Sequence, residues 1–186
     1  MTHKSLQLLA HYLNLYPQTG RVGDYGGTDK IGAKVIKQML SLDNVQVIVN
    51  NASSGNLVDV NIAGSPKKKK ATYHVLDYDN GIDLMKPIKG ERFDGGICMD
   101  LLEHTENPFI IAKNISDSLK KGAMLFVTVP WVWELHYHPK DYCRFAPQGL
   151  EQLFPKMDCL TVEIIRDEAP DEELPRSRLV GVFKKK

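Results

Sequence analysis

The sequence predicts an α/β fold with a seven-stranded, mostly parallel sheet and helices on both of its faces. Short runs of aliphatic and β-branched residues alternate with segments whose apolar residues recur every three or four positions. Strands that are connected through helices pair in parallel, by right-handed crossovers. The last two predicted strands have no helix between them, so the last strand is expected to run antiparallel.

The first predicted element is a helix over residues 5–16. Its leucine and tyrosine side chains recur at spacings of three and four, which places them on one face, and the helix ends before Pro17. A single apolar face at the start of the chain is typical of a helix that covers other elements. We therefore expect residues 1–17 to form a packing helix or a lid.

The remaining elements follow the same alternation. The predicted strands are 21–25, 45–49, 73–77, 93–99, 124–129, 159–165 and 178–183. The predicted helices are 30–40, 108–119 and 147–154. The strand at 45–49 is β-branched at most positions, which suits a sheet covered on both faces. The poorly patterned stretch after it is expected to hold at most a short helix, at 57–62.

Length and composition indicate one ordinary domain. The chain has 186 residues, of which 42% are hydrophobic and 25% charged, and we expect residues 1–186 to form a single domain. No apolar run approaches the roughly 18 to 20 residues of a membrane-spanning helix, and the first residues lack the apolar part of a secretory signal. We therefore expect a cytoplasmic protein without a membrane partner. The three cysteines lack the spacing of a zinc or redox motif.

The charge balance gives no general attraction to nucleic acid. The chain has 24 Lys and Arg against 23 Asp and Glu, a net charge of +1. Lys67 to Lys70 follow Ser65-Pro66 and are expected to lie in a solvated loop, and Lys184 to Lys186 in a solvated tail. A nucleic-acid partner is therefore disfavoured.

Ligand-binding residues are expected directly after the strands. An open parallel sheet binds ligands beyond the carboxyl ends of its strands, where the strand order reverses. Gly26 and Gly27 follow the first strand and allow backbone amides to approach a ligand in front of a helix. The Gly-rich motifs of phosphate-binding loops and of dinucleotide-binding domains are both missing from the sequence. A nicotinamide-dependent oxidoreductase is therefore disfavoured.

Several segments, in order, resemble a known family. Residues 92–108, RFDGGICMDLLEHTENP, resemble the fourth-strand signature of class I S-adenosylmethionine-dependent methyltransferases, in which Phe-Asp opens the strand and Leu-Glu-His follows it. Residues 118–130 are similar to the family's helix, glycine turn and fifth strand ending in proline, and residues 130–150 resemble its type 11 subgroup. The resemblance covers about residues 20–183. It implies a Rossmann-like methyltransferase fold with S-adenosylmethionine as its cofactor.

The resemblance also implies cofactor-binding residues near the first two strands. Asp24 and the turn Gly26-Gly27-Thr28 would hold the methionine end of the cofactor. The turn departs from the family's pattern, because Thr28 and Lys30 replace two glycines. An acidic residue after the second strand usually binds the ribose hydroxyls, and this chain offers Asn50 and Asn51 there instead.

Further residues are implied after the third and fourth strands. Asp77 resembles the residue that accepts a hydrogen bond from the adenine amino group, and Tyr78 is its stacking neighbour. Asp100 would lie at the methyl-donor end of the pocket, and Leu101 near the adenosine. A plain turn aspartate remains an alternative for Asp77.

A cluster of polar residues after the fifth strand predicts the catalytic groups. His136 or His138 would act as the base and Asp141 would orient it, because a neutral imidazole titrates near the working pH. Metal binding by the two imidazoles and the carboxylate is an alternative. A purely structural role, with Asp141 paired to Arg144, is another.

Three functions remain open at this stage. The leading one is a methyltransferase acting on a small molecule, such as a sugar or glycoconjugate intermediate. The second is a methyltransferase-like binding or partner subunit with weak or no activity, which the altered glycine turn and the Asn50-Asn51 pair motivate. The third is a nucleic-acid or protein methyltransferase with Lys67 to Lys70 on its substrate.

Overall fold

Helices and strands make up most of the residues that this computed structural model describes, which are 3–27, 30–49, 60–69, 71–77, 79–137, 140–166 and 176–186. The strands are β1 (Gly20–Tyr25), β2 (Leu42–Val49), β3 (Val60–Pro66), β4 (Ala71–Leu76), β5 (Phe93–Met99), β6 (Leu119–Val132), β7 (Met157–Arg166) and β8 (Ser177–Lys185). The helices are α1 (His3–Leu15), α2 (Lys30–Leu40), α3 (Pro108–Ser118) and α4 (Pro147–Leu153), and a 3₁₀ turn spans Leu102–His104. None of the helices among these residues is long and apolar enough to cross a membrane.

The main sheet has the strand order β4-β1-β5-β6-β8-β7. β1 pairs in parallel with β4 and β5, and β5 pairs in parallel with β6. β8 pairs antiparallel with both β6 and β7, so the expected antiparallel last strand is confirmed. The chain goes from β1 to β4 on one side and then to β5 on the other. The strand order therefore reverses between β1 and β5, and a crevice opens beyond their carboxyl ends.

One predicted strand lies outside this sheet. β2 pairs antiparallel with β3 in a separate two-stranded sheet, so the main sheet of the described residues has six strands and the predicted number of seven is wrong. Only residues 50–59 connect the two strands, which is too short for the helical crossover that parallel neighbours need. Ile48 is also 46% exposed, so β2 is not covered on both faces. β4 consequently takes the place beside β1.

Two smaller predictions are also wrong. The short helix expected at 57–62 cannot form at its described end, because residues 60–62 belong to β3. Lys67 does not extend into solvent, because its side chain is buried and its Nζ donates to the backbone oxygen of Gln18 at 3.2 Å. Burial lowers the pKa of Lys67. Lys68 and Lys69 are exposed, as expected.

Helices cover both faces of the sheet, as predicted. α1 and α2 pack on one face, where Leu9, Ile36 and Phe126 are buried. α3 and α4 cover the other face, where Tyr25 and Leu150 are buried. Most of the apolar side chains of α1 lie inside the core. This packing leaves the carboxyl ends of β4, β1 and β5 free to carry a site.

Candidate functional site

The turn after β1 lies at the point where the strand order reverses. Gly26 and Gly27 have φ angles of +91° and +64°, which other residues rarely adopt. The backbone N–H of Gly26 donates to the oxygen of Leu76 at 3.0 Å, so the turn stays attached to the end of β4. The two predicted glycines therefore form a tight turn at the mouth of the crevice.

Two other predicted residues lie directly on this turn. A Cβ atom on Gly26 would lie 2.8 Å from Cδ1 of Leu101, and one on Gly27 would lie 2.2 Å from Oδ2 of Asp77. Side chains at either position would collide with these neighbours. The structure therefore brings Gly26, Gly27, Asp77 and Leu101 together, although they come from three separate parts of the chain.

A cavity of about 350 Å³ opens beside the turn. Its lining consists of apolar side chains and three carboxylates around one glycine, namely Gly26, Asp77, Asp79, Ile82, Asp83, Leu84, Met85, Leu101 and Ile111. Small-molecule sites usually have volumes of roughly 300–1,000 Å³, with mostly apolar walls and a few polar groups. The cavity therefore has the size and the kind of lining that small-molecule binding sites have.

Asp77 occupies a different strand position from the one predicted. It follows β4, which is the direct neighbour of β1 in the main sheet, because β2 lies outside that sheet. Its Oδ1 accepts from the backbone N and the side-chain Nδ2 of Asn80, at 2.8 and 2.7 Å. Its Oδ2 faces the glycine turn. Thr28, Asn50, Asn51 and Tyr78 lie outside the described residues.

Asp83 and Leu84 line the cavity, although the sequence pattern did not single them out. Oδ1 of Asp83 accepts from the backbone N of Met85 at 3.0 Å, and hydrogen bonding to Lys86 lowers the pKa of Asp83. The signal in the sequence is an acidic residue between the apolar Ile82 and Leu84. Asp83 was missed because glycine and proline flank this stretch, a pattern that predicts a loop.

Asp24 lies beneath the turn and does not line the cavity. Its side chain is 1% exposed, the hydroxyl of Tyr73 donates to Oδ2, and the buried Oδ1 has no hydrogen-bond partner among the residues that the structure describes. Burial raises the pKa of Asp24 to about 7, the hydrogen bond from Tyr73 opposes this shift, and the charge of Asp77 adds to it. A buried carboxyl with an unsatisfied oxygen this close to a cavity is typical of a binding site.

Asp100 is held by other protein groups. It has a φ angle of +50° at the end of β5, and its Oδ1 accepts from Oγ1 of Thr128 at 2.9 Å and from Nη1 of Arg178 at 3.1 Å. Arg178 is buried and also donates to Oγ of Ser5, on α1. The carboxylate of Asp100 is therefore neutralised by an arginine and linked to the first helix.

The predicted catalytic residues lie in the β6–α4 segment, residues 133–146. Nδ1 of His136 is 3.1 Å from Oδ2 of Asp141. Asp141 also accepts from both terminal nitrogens of Arg144, and this pairing lowers the pKa of Asp141. The predicted neighbours His136 and Asp141 are thus together, and so are the pair Asp141 and Arg144. His138 lies outside the described residues.

His104 joins this cluster, which the sequence did not predict. Its Nε2 is 3.2 Å from Nε2 of His136, and its Nδ1 is 2.9 Å from the backbone oxygen of Lys140. Oε1 of the neighbouring Glu103 is 3.6 Å from Nε2 of His104. Glu103 is 1% exposed, and burial, aided by the charge of Asp100, raises its pKa to about 8. The signal in the sequence was the Leu-Glu-His motif that follows β5.

The metal-binding alternative includes His138, which lies outside the described residues, and it stays a prediction. Among the described residues, no group of three His, Cys, Asp or Glu side chains is arranged to hold a metal ion.

The raised pKa of Asp24 predicts a pH-dependent stability. An aspartate with a pKa near 3.9 in the unfolded chain and about 7 in the fold stabilises the protein fully below pH 4, and this contribution is lost as the pH rises through 7. The free energy of unfolding of Asp24→Asn should therefore rise relative to that of the parent by on the order of 2–3 kcal/mol between pH 5 and pH 8.

Urea unfolding of both proteins at the two pH values measures this difference. The exposed Asp158→Asn variant is the matched control. A difference between parent and Asp24→Asn that stays constant from pH 5 to pH 8 would show that Asp24 is not held uncharged.

Comparison with solved structures identifies the fold. No family model matches the chain, and no curated protein matches its sequence significantly. The N-methyltransferase NodS from Bradyrhizobium japonicum, in complex with S-adenosyl-L-homocysteine, matches with a TM-score of 0.59 and 12% identity, over 98% of this chain and 86% of that one. The complex between the Haloferax volcanii Trm112 methyltransferase activator and a putative methyltransferase contains a chain that matches with a TM-score of 0.58 and 15% identity, over 98% and 93%.

One of the matching structures is a cyclase. The cyclase SpnF matches with a TM-score of 0.61 and 14% identity, over 97% of this chain and 80% of that one. At these identities the matches define the fold and nothing finer. The predicted fold class is confirmed: the chain has the Rossmann-like fold of class I S-adenosylmethionine-dependent methyltransferases.

Proposed function

We propose that this chain is an S-adenosylmethionine-dependent methyltransferase that acts on a small molecule. The observation that carries this proposal is the cavity beyond the carboxyl ends of β4, β1 and β5, in which Asp77 and Leu101 meet the glycine turn. The same fold in NodS is in complex with S-adenosyl-L-homocysteine. When bound, the cofactor supplies a methyl group on a positively charged sulfur.

The residues of the cavity fit the adenosine part of this cofactor. Oδ2 of Asp77, which faces the glycine turn, would accept from the ribose hydroxyls, because Asp77 follows the strand beside β1. Asp83 and the backbone of Leu84 would bind the adenine edge, and the side chains of Ile82 and Leu101 would cover its faces. In this proposal Asp77 takes the place that the sequence assigned to Asn50 and Asn51, and Asp83 takes the adenine-binding role first assigned to Asp77.

The turn at Gly26 and Gly27 would bind the methionine end, together with Thr28. Backbone amides at a tight turn suit a carboxylate, and a nearby acidic group suits an amine and a sulfonium. The unpartnered Oδ1 of Asp24 is such an acidic group, directly beneath the turn. Asp100 would contribute by holding the end of β5 in place, since Arg178 and Thr128 already bind its carboxylate.

The methyl acceptor would lie against the β6–α4 segment. Exposed side chains there, Leu135, Tyr137 and Tyr142, offer apolar surface with polar tips. Such rings suit the apolar faces and the hydroxyls of a sugar or glycoconjugate, which is the proposed acceptor class. Alignment of the acceptor with the methyl group supplies much of the rate in this kind of transfer.

Acid–base catalysis is assigned to His136, with His138 as the other candidate and Asp141 as the orienting carboxylate. Both nitrogens of His136 face protein groups, because Nδ1 lies against Asp141 and Nε2 against His104. For His136 to accept a proton, the acceptor must take the place that His104 holds at Nε2. The role therefore requires a small shift of one imidazole when the acceptor binds.

A second function is a methyltransferase-like binding or partner subunit without turnover. The replacement of two glycines by Thr28 and Lys30 favours it, and so does the cyclase SpnF, which uses the same fold for another reaction. A nucleic-acid or protein substrate is less favoured, because Lys67 is buried and cannot contact one.

Cofactor binding tests the proposal directly. Calorimetry with S-adenosylhomocysteine should show binding to the parent protein, and Asp77→Asn should weaken it by about 10- to 100-fold, since a charge-assisted hydrogen bond is lost. Asp158→Asn should bind like the parent. Absence of heat with the parent would refute the cofactor itself, whereas equal affinity of Asp77→Asn would refute only the assignment of the ribose site.

Catalysis requires a separate measurement. His136→Ala should reduce turnover by about 100-fold or more, because general base catalysis is worth that much, and should leave the affinity for S-adenosylhomocysteine unchanged. The assay is the release of S-adenosylhomocysteine with an acceptor found by screening sugars and their conjugates. If His136→Ala and His138→Ala both retain full turnover, neither imidazole is the base.

A further inference from the structure

A tyrosine on β4 contacts one of the carboxylates at the crevice. Tyr73 is in register with Val22 of β1, and Asp24 lies two residues further along β1. Side chains two residues apart on a strand lie on the same face of the sheet, so Tyr73 and Asp24 are diagonal neighbours on that face. The hydroxyl of Tyr73 donates to Oδ2 of Asp24. The parallel pairing of β1 and β4 therefore brings a phenol to this carboxylate.

This hydrogen bond favours the charged form of Asp24. A phenol hydroxyl can bond to either form of a carboxyl group, but its bond to an ionised carboxylate is the stronger one. Burial acts in the opposite direction and is the larger effect, so the pKa of Asp24 is raised to about 7, with the charge of Asp77 adding to the rise. A group with a pKa this close to neutral changes its ionised fraction severalfold when one hydrogen bond is lost.

No cation takes over the role of Tyr73 among the residues that the structure describes, because none of them forms an ion pair with Asp24. The titratable side chains of the surrounding elements include Asp77 after β4, Cys98 on β5, Tyr12 on α1, and Lys34 and Lys37 on α2. Burial raises the pKa values of Cys98 and Tyr12, so both are uncharged at neutral pH. Lys34 and Lys37 are exposed. The hydroxyl of Tyr73 is therefore the group that offsets the burial of Asp24.

The other oxygen of Asp24 is left for a ligand. Oδ1 is buried, and it has no hydrogen-bond partner among the described residues. Such an acceptor costs free energy, which a donor recovers when it binds there. Only Tyr25 separates Asp24 from the turn at Gly26, at the mouth of the crevice. A positively charged donor bound at this turn is the partner that Oδ1 lacks.

We propose that Tyr73 is a positioning residue: by donating to Oδ2 of Asp24 it keeps this carboxylate charged and in place, so that Oδ1 can receive the ammonium group at the methionine end of the cofactor. The second half of this role rests on the proposed function. The first half, the control of Asp24 by Tyr73, does not depend on any ligand.

The pH dependence of unfolding tests the first half without a cofactor. In the parent protein, the stabilisation by uncharged Asp24 is lost as the pH rises from about 4 through 7. Tyr73→Phe removes only the hydroxyl, so the pKa of the buried carboxyl should rise by about one unit or more, and the loss of stability should continue to about pH 8. Urea unfolding between about pH 5 and pH 9 measures where the loss ends, for each protein relative to the same protein with Asp24→Asn.

Tyr16→Phe is the matched control. Tyr16 and Tyr73 are both partly buried against the same core cluster, and the hydroxyl that bonds to Asp24 is that of Tyr73. The loss of stability in Tyr16→Phe should end at the same pH as in the parent. If it also ends at that pH in Tyr73→Phe, the hydroxyl does not control the charge of Asp24 and the proposal is wrong.

Cofactor affinity tests the second half. At pH 6.5, calorimetry with S-adenosylhomocysteine should show that Tyr73→Phe binds about fivefold or more weakly than the parent, because less of its Asp24 is ionised. At pH 8.5 its affinity should be within about twofold of that of the parent, because most of Asp24 is ionised in both proteins. Tyr16→Phe should bind like the parent at both pH values.

This pH pattern separates a positioning role from a merely structural one. Equal weakening of Tyr73→Phe at both pH values would overturn the proposal, because damage to the sheet would not be repaired by a rise in pH. Absence of binding by the parent would refute the cofactor, and with it the second half of the role. The unfolding measurement would still decide whether Tyr73 controls the charge of Asp24.

Discussion

The site depends on the parallel pairing of β1 with a strand on each side. Tyr25, the last residue of β1, is in register with Leu76 of β4 and with Cys98 of β5. Parallel neighbours in this register end at the same edge of the sheet, so the residues that follow them arrive together. This is why Gly26, Asp77 and Leu101 meet, and any change that shifted one of these strands by a residue would separate them.

The sequence predicted the parts of the fold that are encoded locally. β5, its Leu-Glu-His continuation and β6 have strong patterns, and they lie where they were expected. The partner of β2 was not predictable in the same way, because a β-branched run looks alike in a parallel sheet and in a hairpin. The hairpin of β2 and β3 moves β4 into the place beside β1, and with it moves Asp77 from one proposed role to another.

The candidate site was predictable to the extent that its residues follow strands. Gly26, Gly27, Asp77 and Leu101 were found by that rule; the structure places Gly26, Asp77 and Leu101 on one cavity and Gly27 against Asp77. The contact of His104 with His136 follows no such rule, since it depends on how the β6–α4 segment folds back over β5. Long-range contacts between loops have no periodic pattern, and only the folded chain reveals them.

The acidic side chains around the crevice share one electrostatic consequence. Burial raises the pKa values of Asp24 and Glu103, and the charges of Asp77 and Asp100 add to these two shifts. A cation bound in the crevice would oppose the effect of the Asp77 and Asp100 charges on these pKa values, because it attracts each carboxylate and lowers the cost of ionising it. A sulfonium has no hydrogen-bond donors on its sulfur, so a negative environment is the main means of recognising it. Asp77, Asp79 and Asp83 line the cavity itself, so its charge favours a cationic group over an anionic one.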